Sequence, residues 1–317
     1  MRIFALLAAC LIAAPLYAQS WPSKPIKLLV GYPPGGSGDF LTRLMADELS
    51  KELGVAVVAE NRPGAGGTIA SEVVAKSAPD GYTVLNAGHH AITRALYKNL
   101  SYDGDRDFIP VSRVATGATI LCVSNTLAVS NLKELIAYAR ANPGRLFLAS
   151  AGFGSAPHLA SVAFQSQADV KFTAVQFKGG GPAAQSLIAG DTQVMFATPP
   201  TVMGFLRAGR MRALALTMPQ ASPSVPGVPG SEEAGLPGYE STFWFGLYLP
   251  AGSAAPIVRR LHEAAFKALS RSEVRDKIAL QGMDATPSAS PEAFAAEIRA
   301  EAPMWERVVR DSGAKVE

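Results

Sequence analysis

The sequence predicts an α/β protein built as two similar halves and completed by a helical tail. Three observations carry that expectation. Short β-rich runs alternate with longer segments of helical period, the alternation begins a second time after Gly144, and a Pro/Gly-rich passage at 222–240 halts it before an almost purely helical remainder. Such alternation lays strands in parallel and covers the sheet with helices.

In chain order, IKLLVGY (26–32) reads as the first strand, and the helix after it places Leu41, Leu44, Met45 and Leu49 on one face. VAVVAE, a glycine loop, a helix over Glu72–Lys76 and the strand YTVLNA follow. ATILCVS (118–124) leads to the helix NLKELIAYARA, which Ser130 is placed to cap and Asn142-Pro143-Gly144 to end. LFLAS, FTAVQF, TQVMFA and RALALT then read as four strands, with helices starting near Ser155, Pro182 and Pro200. After the Pro/Gly-rich passage comes the aromatic strand STFWFGLYL, and three helical segments close the chain, the last opening at Pro291. So little strand in the tail argues against a third domain, and it is expected to pack on the first half.

The first residues, MRIFALLAACLIAAPLYAQS, combine basic Arg2, a short apolar core and small Ala18, which is the layout of a secretory signal peptide at 1–18. The apolar stretch is shorter than the ~20 residues needed to cross a bilayer. Leu7-Ala8-Ala9-Cys10 has the order of a lipobox, leaving a lipid-modified Cys10 as the alternative. Removal of the leader leaves Cys122 as the lone thiol, so an internal disulfide is excluded and stability rests on a core. With 29 basic and 26 acidic residues the chain has a formal charge of +3, and no basic cluster marks a nucleic-acid partner.

Four glycine-rich loops, GYPPGGSGD, NRPGAGGT, SAGFGSAPH and FKGGGPA, follow predicted strands. The first spaces Gly31 and Gly36 as a phosphate loop does but has Ser37 where the lysine belongs. The second and third place Ile69 and Pro157 where a dinucleotide fingerprint needs its third glycine. Gly35-Gly36-Ser37-Gly38-Asp39 fails as a nucleophile elbow at its last position, and His89, His90, His158 and His262 sit in no metal or catalytic spacing. No catalytic residue, metal or cofactor is therefore expected. Open backbone N–H groups at helix starts, helped by serine hydroxyls, instead suit a carboxylate held from both halves. The same glycines also suit plain tight turns, with Asp39 and Ser155 as helix caps.

Several long stretches in order, among them PIKLLVGYPPGGSGD, VVAENRPGAGGTIASEVVAKSAPDGYT, LYKNLSYDGDRDFIPV, ASAGFGSAPHLA, VPGVPGSEEAGLPGYE and FWFGLYLPAGS, make the chain similar to the Bug receptors, TctC-like periplasmic solute receptors of tripartite tricarboxylate transporters. The resemblance implies a type II, Venus-flytrap binding protein whose two lobes are joined by two crossing strands, for which ATILCVS and STFWFGLYL are the candidates. It gives lobe 1 as 19–119 and 240–317 and lobe 2 as 120–239. It implies a ligand carboxylate between Tyr32, Pro34, Gly35, Gly36, Ser37 and Asp39 on one side and Ser150, Ala151, Gly152, Gly154, Ser155 and His158 on the other. Asn86, Gly88 and His89 line the cleft from the turn after a strand, whereas Asn61-Arg62-Pro63-Gly64 reads as a structural turn.

Many members carry an aspartate after the buried strand, where this chain has Met195-Phe196-Ala197-Thr198. A ligand ammonium group loses a partner there, and Phe153 and His89 offer an aromatic face beside Ala197 and Thr198. The expected ligand is a mono- or dicarboxylate, aliphatic or aromatic, and the expected partners are permease subunits in the membrane, with the receptor a monomer in the periplasm. A ligand sensor engaging a sensor kinase through the same cleft is the alternative. The leader makes one outcome specific: N-terminal sequencing of exported protein is expected to begin at or within a few residues of Gln19, and an intact Met1 or a lipidated Cys10 would contradict it.

Overall fold

The computed structural model of the chain describes residues 21–311 apart from 89 and 98, so the expected leader and His89 lie outside the described residues. Strand β1 (Ile26–Val30) pairs in parallel with β2 (Val57–Asn61) on one side and β3 (Thr83–Ala87) on the other. The crossovers are α1 (Ser37–Leu53) and α2 (Thr68–Ala75). After α3 (His90–Leu96), β4 (Phe108–Ala118) runs to the edge of this lobe, and the chain passes through Thr119 into β5 (Ile120–Val123) of a second sheet.

There α4 (Leu132–Ala141), β6 (Phe147–Ser150), α5 (Ala156–Ala168), β7 (Thr173–Gln176), α6 (Gly180–Ala189), β8 (Val194–Ala197), α7 (Pro199–Arg207) and β9 (Arg212–Leu216) complete the second lobe. The chain returns through Ser241 into β10 (Thr242–Pro250), then α8 (Ala255–Ser270), α9 (Ser272–Ala279), β11 (Met283–Ala285) and α10 (Pro291–Asp311). The sheet orders are β11-β4-β10-β3-β1-β2 and β7-β6-β8-β5-β9. The result is a two-lobed α/β fold with one sheet in each lobe.

Alternating residues of each strand feed separate cores, which is why the strands read as unbroken apolar runs. In β1, Leu28 faces the cluster under α1 and α8, while Leu29 faces the one holding α2 and Phe294 of α10. In β5, Leu121 and Val123 face α4 and α5, while Ile120 and Cys122 face α6 and α7. Cys122 is fully buried, and burial pushes its thiol far above the ordinary range.

Three details depart from expectation. The sheets are mixed: β10 lies antiparallel to β3 and β4, and β5 antiparallel to β8 and β9, because each crossing strand enters from the opposite lobe. The second crossing precedes STFWFGLYL proper, since β10 belongs wholly to the first sheet. Asn131, not Ser130, caps α4: its side chain accepts from the Glu134 N–H at 2.9 Å, and the Glu134 carboxylate accepts from the Ser130 N–H at 2.6 Å, a reciprocal cap. The crossings meet in a buried knot. Thr119 and Thr217 exchange backbone and hydroxyl bonds at 2.9–3.0 Å, and the Thr217 hydroxyl donates to the Ser241 carbonyl at 2.6 Å.

The tail packs on the first lobe as expected. Phe294 of α10 lies directly over β10, so closely that a Cβ on Gly246 would stand 2.3 Å from its ring. Arg113 of β4 reaches Glu301 at 2.7 Å and Glu297 at 3.2 Å, and the Trp244 indole N–H donates to Glu301 at 2.7 Å. Because Phe294 is fully buried, Phe294→Ala is expected to lower the unfolding free energy by about 3–5 kcal/mol. A urea titration showing a loss below about 1 kcal/mol would mean that α10 is only loosely attached.

Candidate ligand-binding cleft

The parallel strands of both sheets direct their carboxyl ends into one gap, and the loops that leave them face one another across it. Glycine is required where these loops touch. A Cβ on Gly31 would lie 2.4 Å from the Cα of Gly67, so the loops after β1 and β2 pack backbone against backbone. Gly67 and Gly179 hold φ of +97° and +108° immediately before α2 and α6. Across the gap the lobes approach closely: the Thr201 hydroxyl donates to the Gly35 carbonyl at 3.4 Å, and a Cβ on Gly154 would meet Leu96 at 3.2 Å.

Between the lobes lies a cavity of about 120 Å³ whose described lining contains no Asp, Glu, Lys or Arg. Its polarity comes from helix starts together with hydroxyls and the His90 imidazole. The first turns of α1, α2 and α6 follow Gly36, Gly67 and Gly179, residues with no side chain to cap them, and all three starts line the cavity. Each helix start carries roughly half a positive charge on uncapped N–H groups. The Ser37 hydroxyl is buried at the start of α1 and has no hydrogen-bond partner among the described residues. A buried hydroxyl without a partner costs free energy until something supplies one. Thr198 and Thr201 add hydroxyls 3.1 Å apart, on the opposite lobe.

Of the residues expected at the site, Tyr32, Gly36, Ser37 and Gly88 line the cavity from the first lobe, and Ala151, Gly154, Ser155, Ala197 and Thr198 from the second. Burial, with Tyr102 and Tyr97 nearby, pushes the Tyr32 hydroxyl up to about 12, so it stays a donor, to the Gly66 carbonyl at 3.4 Å. The other described residues expected there do not line the cavity. Pro34 and Gly35 lie exposed at the lip. Asn86 is buried, its amide donating to the Thr42 hydroxyl at 2.8 Å, and Ser150 ends β6 just below Ala151. Gly152 accepts the Ser155 hydroxyl at 2.7 Å, and the Phe153 ring turns outward over His158.

Asp39 serves the loop. Its carboxylate accepts from the Gly35 N–H at 3.1 Å, from Arg43 at 2.9 Å and from Asn61 at 2.9 Å. Burial opposes its ionisation, but those three bonds outweigh it and hold the group below the ordinary carboxylate range. Asn61 also donates to the Tyr32 carbonyl at 3.0 Å, so the turn it begins braces the first glycine loop. Gly66, Gly67, Gly179, Gly180 and Thr201 also line the cavity and were not among the expected residues, although the glycine runs NRPGAGGT and FKGGGPA signalled the first four. Trp244 and Trp305 also line the cavity and carried no local signal.

A family model described as the tripartite tricarboxylate transporter family receptor matches residues 41–313. The chain belongs to this receptor family. BugT of Bordetella pertussis (strain Tohama I) is 36% identical over 309 residues, covering 96% of this chain and 94% of BugT. Among solved structures, R. palustris Rpa4515 with adipate superimposes with a TM-score of 0.88 at 33% identity, covering 92% of this chain and 98% of that one. MatC (Rpa3494) from Rhodopseudomonas palustris with bound malate gives 0.84 at 33% identity, covering 91% and 100%. The chain is thus a Bug-type member of the receptor family.

His158 supports the second-lobe loop from behind, accepting the Gly154 N–H at Nδ1 over 3.4 Å. Burial lowers its pKa from 6.5 to about 4, so the ring is neutral in the fold and charges more readily in the unfolded chain. Its contribution to stability is therefore complete above pH 6.5 and is lost as pH falls toward 4, by up to about 3 kcal/mol. Thermal melts across this window are expected to fall less steeply for His158→Gln than for the unaltered chain. Parallel curves would show that His158 titrates normally.

Proposed function

We propose that this receptor captures a carboxylate-bearing organic acid in the periplasm, as a monomer and without altering it, and presents it to the membrane subunits of a tripartite tricarboxylate-type transporter. The observation that carries this proposal is the cavity itself: uncapped helix starts and the partnerless Ser37 hydroxyl converge where no side-chain charge is present among the described residues. Such a site suits one anion, whose oxygens accept from the backbone N–H groups and from the hydroxyls. Adipate and malate in the two solved relatives are ligands of this class.

The working parts are residues 19–119 with 240–317 and residues 120–239, pivoting on the Thr119, Thr217 and Ser241 knot. Closure brings Gly35 and Gly36 against Thr201 and Thr198 and shuts the ligand in. Ala197 and Thr198 give a ligand ammonium group no anionic partner, so simple organic acids are favoured over amino acids.

A thermal-shift screen of organic acids, aromatic carboxylates and amino acids, followed by calorimetry, tests this proposal. A bound acid at a hundredfold excess over its dissociation constant should stabilise the fold by roughly 2.7 kcal/mol. Gly36→Val is expected to abolish binding of every hit, because a Cβ there already stands 3.9 Å from the Thr198 hydroxyl and the added methyls fill the gap. Ser37→Ala is expected to weaken each about tenfold or more. Tight glutamate binding with no response to any simple acid would overturn the proposed ligand class, and unaltered binding by Gly36→Val would move the site elsewhere.

A further inference from the structure

The cavity wall is built from two groups of contacts. In the first, Gly36 faces Thr198, and Thr201 meets both Gly35 and Gly180, so the starts of α1 and α6 stand together. In the second, Gly154 approaches Leu96 and Gly66, and the Trp305 side chain of α10 packs with Leu96, Leu159 and Val309. The hydroxyls near this second group are already committed, Ser71 to the Gly67 carbonyl at 3.2 Å and Thr93 to the His90 carbonyl at 2.8 Å. One region of the cavity therefore gathers the starts of α1 and α6 with the Ser37, Thr198 and Thr201 hydroxyls, and the other sets Leu159 and the Trp305 indole beside the start of α2.

The indole comes from an unexpected quarter. Helix α10 belongs to the tail, is fixed to the first lobe by Phe294, Glu297 and Glu301, and is held again by the Arg94–Glu306 ion pair one residue past Trp305. From that anchorage Trp305 crosses to Leu159 of the second lobe while forming part of the cavity surface.

We propose that Trp305 is the residue that sets how long a ligand the cleft accepts. On the carboxylate function proposed above, the acid group sits at the starts of α1 and α6 and the far end of the ligand lies against the indole. A ligand that outgrows the space must part Trp305 from Leu159, and the lobes then fail to close on it.

Calorimetry on the mature chain with two homologous series, butyrate to decanoate and succinate to sebacate, tests the proposal. Affinity is expected to rise with length and then drop at a limit. Trp305→Ala should move that limit to longer acids, each methylene that gains room binding about fourfold tighter. Leu159→Ala, which removes the facing wall, should move it in the same direction, and Trp305→Phe should move it less. Val309→Ala alters the same cluster away from the cavity surface and should lower thermal stability with the limit unchanged. If Trp305→Ala does not fold, Trp305→Phe and Leu159→Ala decide the matter. An unchanged limit in the variants that fold would overturn the role of Trp305 and leave the carboxylate function standing. If no acid of either series binds the unaltered chain, the role of Trp305 falls, and the carboxylate function is decided by the wider screen above.

Discussion

An anion inside this cavity would meet backbone N–H groups and hydroxyls, since its described lining holds no Asp, Glu, Lys or Arg. A helix start that nothing caps leaves backbone N–H groups without partners. The cleft therefore depends on helix starts arriving from two sheets at one place, and much of the local sequence serves that end. Gly31 and Gly67 let two loops touch, Gly36 and Gly179 leave their helices uncapped, and Asp39, Arg43 and Asn61 keep the first loop in shape from behind. The ionised groups near the site are one layer removed, where they position the donors without competing for the ligand.

The same constraint explains the mixed sheets. Two lobes that share one cleft are joined where the chain passes between the sheets, and the β4–β5 and β9–β10 connections meet side by side there. Thr119, Thr217 and Ser241 satisfy one another at the crossing. Pairing β10 between β3 and β4 then makes the returning chain the centre of the first sheet. The tail covers that centre, with Phe294 seated over Gly246.

Much of this architecture was legible in the residues. Apolar runs that feed two cores, such as IKLLV and VMFA, and helices with a clear stripe, such as α4, declare themselves through local periodicity. Strand direction does not, because β5 and β10 take theirs from the lobe the chain has just left. The glycine loops marked the neighbourhood of the site, yet the inner surface differed from the motif. Asp39, Asn86 and His158 sit one layer behind it, since a polar side chain next to a glycine loop can brace the loop as readily as face a ligand. Trp244 and Trp305 were illegible for another reason. Each reaches the cavity only through tertiary packing, from a strand and a helix far along the chain.

The charge-free lining has a further consequence, for retention as against capture. Mobile ions screen charges that face solvent and hardly reach those enclosed by protein. Donors enclosed between the lobes are thus shielded from the electrolyte around the molecule, while ionised groups on its outside are not. On the function proposed above, ionic strength should accordingly act on how often an acid meets the cleft and leave almost untouched how long it stays there.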